Sequence, residues 1–259
     1  MTSLQEIREG NASLSDWCIM LAYRGSIAHG MYIPNSDPNS IDDIDLMGIC
    51  IPPVENYLGL KRFGSRGTQE IKVDEWDIVV YEVQKAVSLL AVGNPNILGM
   101  LWLDEYVSLS TEGQMLVDNR ELFSTKRVYH AFTGYAHGQL KRMTHFAFEG
   151  YMGEKRKQIV ERHGYDTKNA AHLVRLLRMG IEFMESGKMN VNRSCIDADE
   201  LLDIKRGKWS LEEVKLESER LFALSKEARD KSRLPEYPNS DKVNKLCVDM
   251  ITHRLFQGE

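Results

Sequence analysis

The chain has 259 residues, 42% hydrophobic and 27% charged, with a formal net charge of −5 at pH 7. That is the make-up of an ordinary globular protein long enough for one large domain or two modest ones. The acidic balance argues against a protein that simply coats nucleic acid, and no apolar run approaches the roughly 18 residues that span a bilayer.

Read in chain order, "MTSLQEIREG" carries acids and lacks an apolar stretch, so a secretory signal is not expected and a cytoplasmic, membrane-free protein is. "SLQEIREG" reads as a helix fragment stopped by Gly10, and "WCIMLAYR" (17–24) as a short buried strand. "IDLMGICIPP" (44–53) is a second strand ended by two prolines, and "WDIVVYEV" (76–83) a third. Between them lies the Gly-rich loop "GLKRFGSRGTQE", followed at Ile71–Asp74 by a candidate hairpin edge.

From Val83 the period becomes helical, with Val83, Val87, Leu90 and Ala91 on one side. "GNPN" at 93–96 breaks that run before a second apolar helix, "ILGMLWL". After "STEGQMLVDNREL" the chain reads as helix. One helix runs from about Lys126 to Phe148 with Val128, Phe132, Tyr135, Leu140, Met143 and Phe146 inward. Another runs from Lys168 to Ser186, its stripe made by Leu173, Val174, Leu177, Ile181 and Met184 and its end by Gly187. "SLEE" at 210–213 fits a capping box opening a long charged helix to about Lys231; "LPEYPNSD" is a linker, and "KVNKLCVDMITHRL" the last helix. Strands therefore occupy the first hundred or so residues and helices the rest. Cys18, Cys50, Cys195 and Cys247 are isolated, without metal or disulfide spacing, and read as structural thiols.

The chemistry concentrates around "RGSIAHG" and "DDIDLMG". Asp43 and Asp45 stand two apart at the start of an apolar strand, so both carboxylates project from one face while Ile44 faces the core. Two such groups supply part of an Mg²⁺ octahedron that substrate phosphates commonly complete. A third acid on a neighbouring strand would admit two metals, one activating an attacking hydroxyl and the other neutralising a leaving pyrophosphate. Asp77 is the first candidate, and Glu82, on the opposite face of its strand, the reserve. Gly25 and Ser26, directly after the first strand, suit close backbone approach to a phosphate. Asp37 and Asp42 lie in the turn-rich "PNSDPNSIDD" and are read as turn residues.

The order strand, Gly-Ser, short helix, Asp-x-Asp, then an acid on a third strand resembles the DNA polymerase β nucleotidyltransferase superfamily. "RGSIAHG", "DIDLMGI", "YEVQKAVSLLAVGNPNILGMLW" and "ERHGYDTKNAAHLVRLLRMGIEFMESGKM" are similar to blocks of predicted nucleotidyltransferases of the RNA-ligase-associated, RNA-repair type, over roughly residues 20–190. The resemblance implies an α+β fold. A small mixed sheet with flanking helices (1–115) would carry the catalytic residues, and an all-helical half (116–259) would complete the cleft. It implies Gly25 and Ser26 on the triphosphate, His29 beside that loop in a structural or donor role, and Asp43, Asp45 and Asp77 (or Glu82) as metal ligands. It further implies Mg²⁺ or Mn²⁺ and an NTP, ATP or CTP foremost. The chain departs from the usual Ser-Asp-x-Asp-x-Arg-Gly pattern at Asp42 and Met47, and the loop from Ser26 to Asp43 is somewhat long.

From Glu154 to Arg178 there are seven Lys/Arg against three Asp/Glu, a local +4 that leaves −9 for the rest of the chain. Lys168, His172 and Arg175 fall at i, i+4 and i+7, a polar stripe that is either a solvated face or, with the resemblance, a set of contacts to nucleotide phosphates or acceptor. His172 is either a phosphate donor or a packed surface histidine. The basic run "GEKRKQIVERHG" (153–164) is either solvated surface or the path of a polynucleotide backbone; Lys155 to Lys157 lining the cleft would favour RNA, and acids lining its mouth beyond the metal site a small-molecule acceptor. The leading expectation is template-independent transfer of an NMP to an RNA 3′ end, possible tRNA acceptors included. The alternatives are a small-molecule or protein acceptor, and a non-catalytic nucleotide-binding or interaction module.

Overall fold

The computed structural model describes residues 2–34, 37, 42–145 and 154–256. Helix α1 (Leu4–Glu9) opens on a capping box in which the Ser3 hydroxyl accepts from the Glu6 amide and Glu6 accepts from the Ser3 amide. The apolar run Cys18–Tyr23 becomes β1, and Gly25–Ala28 a single helical turn, α2. Strands β2 (Ile44–Cys50), β3 (Thr68–Val73), β4 (Trp76–Glu82) and the two-residue β5 (Ser108–Leu109) complete a sheet of order β3–β4–β2–β1–β5. Only β2 and β4 run parallel; the other pairs are antiparallel.

The β3–β4 hairpin starts earlier than its expected edge at Ile71, because the antiparallel ladder extends back to Thr68 opposite Tyr81. β5 carries no periodic signal and exists only through pairing with Met20 and Leu21. In place of one apolar helix after "GNPN", a short helix α4 (Pro95–Leu98), capped by Asn94 with Pro95 at its first turn, runs into a 3₁₀ turn at Gly99–Trp102.

Period-two alternation divides the sheet between two cores. Leu46 and Cys50 of β2 join Ile78 and Val80 of β4 on the face covered by Ile7 and Leu14. Met47 and Ile49 face the other way, into an apolar core that continues through the helices. Asp45 shares the face of Met47 and Ile49, so its carboxylate is directed to the helical side.

The remaining helices are α3 (Val83–Ala91), α5 (Thr111–Asp118), α6 (Arg127–His145), α7 (Glu154–His163), α8 (Thr167–Ser186), α9 (Ala198–Lys205), α10 (Leu211–Lys231) and α11 (Ser240–Phe256). Val128, Phe132 and Met143 of α6 are buried, while Phe146 lies outside the described residues. Leu173, Val174, Leu177 and Met184 bury the predicted stripe of α8. That helix starts where Asp166 accepts from the Asn169 amide at 3.0 Å and ends at Gly187, whose φ of 71° closes the last turn. Gly180 lets α6 approach closely: a Cβ there would lie 3.3 Å from that of Phe132. Helix α11 returns to the first half of the chain, where His253 Nδ1 pairs with Glu112 Oε1 at 2.7 Å. Among the described residues no helix is long and apolar enough to cross a membrane.

Helix α9, which the sequence pattern does not single out, ties the two halves together. Its Lys205 ammonium, 8% exposed as a residue, donates to the Met31 carbonyl at 3.0 Å and to the carboxylate of Asp42. Asp42 is 1% exposed and also accepts from the Ile33 amide at 3.0 Å, with Lys168 Nζ 3.4 Å from its second oxygen. Burial pushes the Asp42 pKa up, but Lys205, the Ile33 amide and Lys168 together hold it below the ordinary aspartate value. A depressed carboxylate pKa gives stability that is fully present above about pH 4, the unfolded value, and is lost as pH falls through the folded one. Lys205→Met takes the nearest cation from a buried carboxylate and is expected to cost about 3 kcal/mol in urea unfolding at pH 7. Asp42→Asn/Lys205→Met is expected to recover much of that loss and to lose less stability than wild type between pH 4 and 2; equal losses for the single and double variants would refute the pairing.

Candidate active site

The parallel register between β2 and β4 sets Asp45 opposite Asp77, on strands about 4.8 Å apart. Asp43 is exposed and precedes β2 by one residue, close enough that its charge, like that of Asp77, acts on Asp45. Burial, Asp77 and Asp43 raise the Asp45 pKa above the ordinary aspartate value despite Arg24 and Lys168. Arg24 bridges the pair, its Nη2 standing 3.4 Å from Asp45 and 3.8 Å from Asp77, and Lys72 lies 3.7 Å from Asp77. Three carboxylates thus crowd one sheet edge with two basic side chains against them, an electrostatic arrangement that a further cation would relieve. Among the described residues, no group of three or more His, Cys, Asp or Glu side chains is placed to hold a metal ion.

Glu82 is placed elsewhere. It sits five residues further along β4, about 16 Å at the rise of a parallel strand, opposite Cys50. Its carboxylate caps α3 by accepting from the Gln84 and Lys85 amides at 2.9 and 3.1 Å, and accepts from the Tyr57 hydroxyl at 2.9 Å. Asp77, not Glu82, is the acid beside Asp45.

Gly25 holds the turn against these carboxylates. Its φ is 61°, the left-handed region that glycine occupies freely, and a Cβ there would overlap the Asp45 carboxylate. Gly25, Ser26, Asp42 and Asp45 line a cleft of about 230 Å³, and Lys168, His172 and Arg175 of α8 and Lys205 of α9 line the same space. The polar stripe of α8 therefore faces this cleft and is not a solvated surface.

His29 and His172 are both neutral at pH 7. Burial, then the Arg175 cation, hold each well below the usual imidazole range. His29 has neither nitrogen available to a phosphate: Nδ1 meets the Val191 carbonyl at 2.8 Å and Nε2 meets Arg175 Nη1. Burial, helped by Arg193, brings the Arg175 pKa down to about 9, so the group remains a cation at pH 7.

Sequence reasoning missed three contributors. Asp42, read as a turn residue, is the buried anchor of Lys205 and Lys168. Lys205 was detectable, since it falls four residues after Leu201 on the buried side of α9. Arg24 follows β1 directly but gave no spacing signal. The basic run at 153–164 does not line the cleft through Arg156 or Lys157, and Gly153 and the Lys155 side chain lie outside the described residues. Arg156 instead stands 3.8 Å from the α8 cap Asp166.

Gly25→Ala is expected to lower unfolding stability by about 1–2 kcal/mol, the cost of a left-handed alanine, and to displace the Asp45 carboxylate. Urea titration would check it, and unchanged stability would show that the turn relaxes freely.

Residues 3–249 match the family described as RNA repair pathway DNA polymerase beta family. The chain has no match among curated proteins.

Proposed function

The chain belongs to the RNA repair pathway DNA polymerase beta family, and on that footing we propose that it transfers an NMP from an NTP to an RNA 3′ hydroxyl, releasing pyrophosphate without a template. The observation that carries this reading is the meeting of acids and lysines in one cleft. Asp45, set beside Asp77 by the parallel register, lines it together with Lys205 and with Lys168, whose charge acts on Asp45. A metal–triphosphate unit has the matching composition, a cation next to a chain of anions.

Asp43, Asp45 and Asp77 would hold Mg²⁺ or Mn²⁺, and the raised pKa of Asp45 in their company fits that role. When bound, such ions neutralise charge building on the phosphates and acidify an attacking hydroxyl. The protein's own residues supply position. Gly25 and Ser26 bring backbone to the triphosphate without a side chain in the way. Lys168 meets its charge from α8, and Lys205 holds the chain around Asp42, one residue from Asp43. Arg24 steadies the Asp45–Asp77 pair and is placed to meet negative charge as it develops there.

RNA is favoured over a small-molecule acceptor by the family, while the cleft, in which Asp42 and Asp45 are the acids among the lining residues, offers no broad acidic mouth to a polycationic acceptor. Incubating the protein with each α-³²P-NTP and Mg²⁺ or Mn²⁺, with RNA and separately with protein as acceptor, is expected to label RNA. Asp45→Asn is expected to reduce labelling about 10²-fold or more while folding at least as stably, since it removes one of three crowded charges. Full activity in Asp45→Asn, or label on protein alone, would overturn the proposal.

A further inference from the structure

Much of the cleft is lined by carbon, with Met31, Met100, Phe132, Leu176, Met179 and Met189 in the wall of this recess. Phosphates gain nothing from such a lining, because burying charge against carbon is costly. Methionine thioethers, by contrast, adapt their shape to a flat ring and contact it favourably. The enclosed part of the cleft, about 230 Å³, lies below the roughly 300–1,000 Å³ typical of drug-sized sites, room for a flat ring and not for a duplex.

Arg175 lines this same space, and its orientation is fixed from behind. A guanidinium only donates, so His29 Nε2 accepts from Arg175 Nη1; the imidazole proton then resides on Nδ1, which donates to the Val191 carbonyl at 2.8 Å. Nη1 also approaches Met179 Sδ at 3.5 Å. Among the described residues Nε and Nη2 have no hydrogen-bond partner and no carboxylate pairs with the group. Those two N–H groups lie on one edge of the guanidinium plane and point in parallel, a fork for two adjacent acceptors.

We infer that the recess receives the base of the incoming nucleotide and that Arg175 selects a base with two adjacent acceptors: guanine through O6 and N7, or cytosine through O2 and N3. This rests on the nucleotidyltransferase reading above. Adenine sets its amino group beside both N7 and N1, and uracil sets an N–H between its two carbonyls, so neither offers the fork such an edge. Arg175 then reads the base while Lys168 meets the phosphates.

The test measures binding of the α,β-methylene analogues of the four NTPs, and of inorganic tripolyphosphate, to the full chain by calorimetry in Mg²⁺. The GTP and CTP analogues are expected to bind about tenfold or more tighter than those of ATP and UTP. Arg175→Lys keeps the charge and loses the fork; it should bring all four to within about twofold and leave tripolyphosphate affinity unchanged. Equal wild-type affinities, a tightest ATP analogue, or tripolyphosphate weakened as much as the nucleotides would overturn the inference while leaving nucleotide transfer standing. No binding of tripolyphosphate or any analogue would overturn both. If Arg175→Lys does not fold, the wild-type ranking alone decides.

Discussion

Parallel pairing of β2 with β4 forces two carboxylates together, because a register that sets Ile44 against Trp76 must set Asp45 against Asp77. The same pairing buries Leu46 against Ile78 and Met47 on the opposite face, so a one-residue slip would turn each apolar set toward the wrong core. Like charges at adjacent ladder positions are unfavourable, and the sheet accepts them because its hydrophobic alternation leaves no cheaper register. Everything around the site answers this constraint: Gly25 without a side chain, Arg24 reaching both acids, and Lys72 at the second one. Folding energy from the core is thereby converted into a fixed concentration of negative charge at one sheet edge.

The second half of the design is positive and comes from distant sequence. Lys168 and Arg175 belong to α8 and Lys205 to α9, and the core that runs from the sheet into the helices brings them into the cleft that Asp42 and Asp45 line. Asp42 is the hinge between these charge sets. One residue from Asp43, it binds Lys205 and Lys168, so the helical half is tied to the chain segment that carries the acids. Such a buried pair is weak evidence for net stability, but it fixes geometry, since any displacement would leave a desolvated charge alone.

Much of this was legible in the sequence. The α+β division, the three main strands, the capped α8 and the Ser210 capping box all follow from periodicity and cap chemistry, which act locally. The turn at Gly25 and the orientation of Asp45 were legible because turn freedom and same-face spacing are local too, whereas the choice of Asp77 over Glu82 as its neighbour needed the β2–β4 register. The rest depended on tertiary contacts. β5 is a strand only because β1 needs a partner at its edge. Asp42 looked like a turn residue because its neighbours are turn formers, and only Lys205, 163 residues away, gives it a buried role. His29 was read beside Gly25 and Ser26 in either a structural or a donor role, and only Val191 and Arg175, both remote in sequence, show which, by taking up its two nitrogens.

The central claim is that Asp45 and Asp77 form a cation site with a triphosphate reaching from it toward α8. The most direct measurement is the anomalous difference map of crystals grown with Mn²⁺ and a non-hydrolysable NTP analogue. A manganese peak between the Asp45 and Asp77 carboxylates, with phosphate density running toward Lys168, is the expected result. Manganese and phosphates bound away from that site, with the two carboxylates still bridged by Arg24, would contradict it.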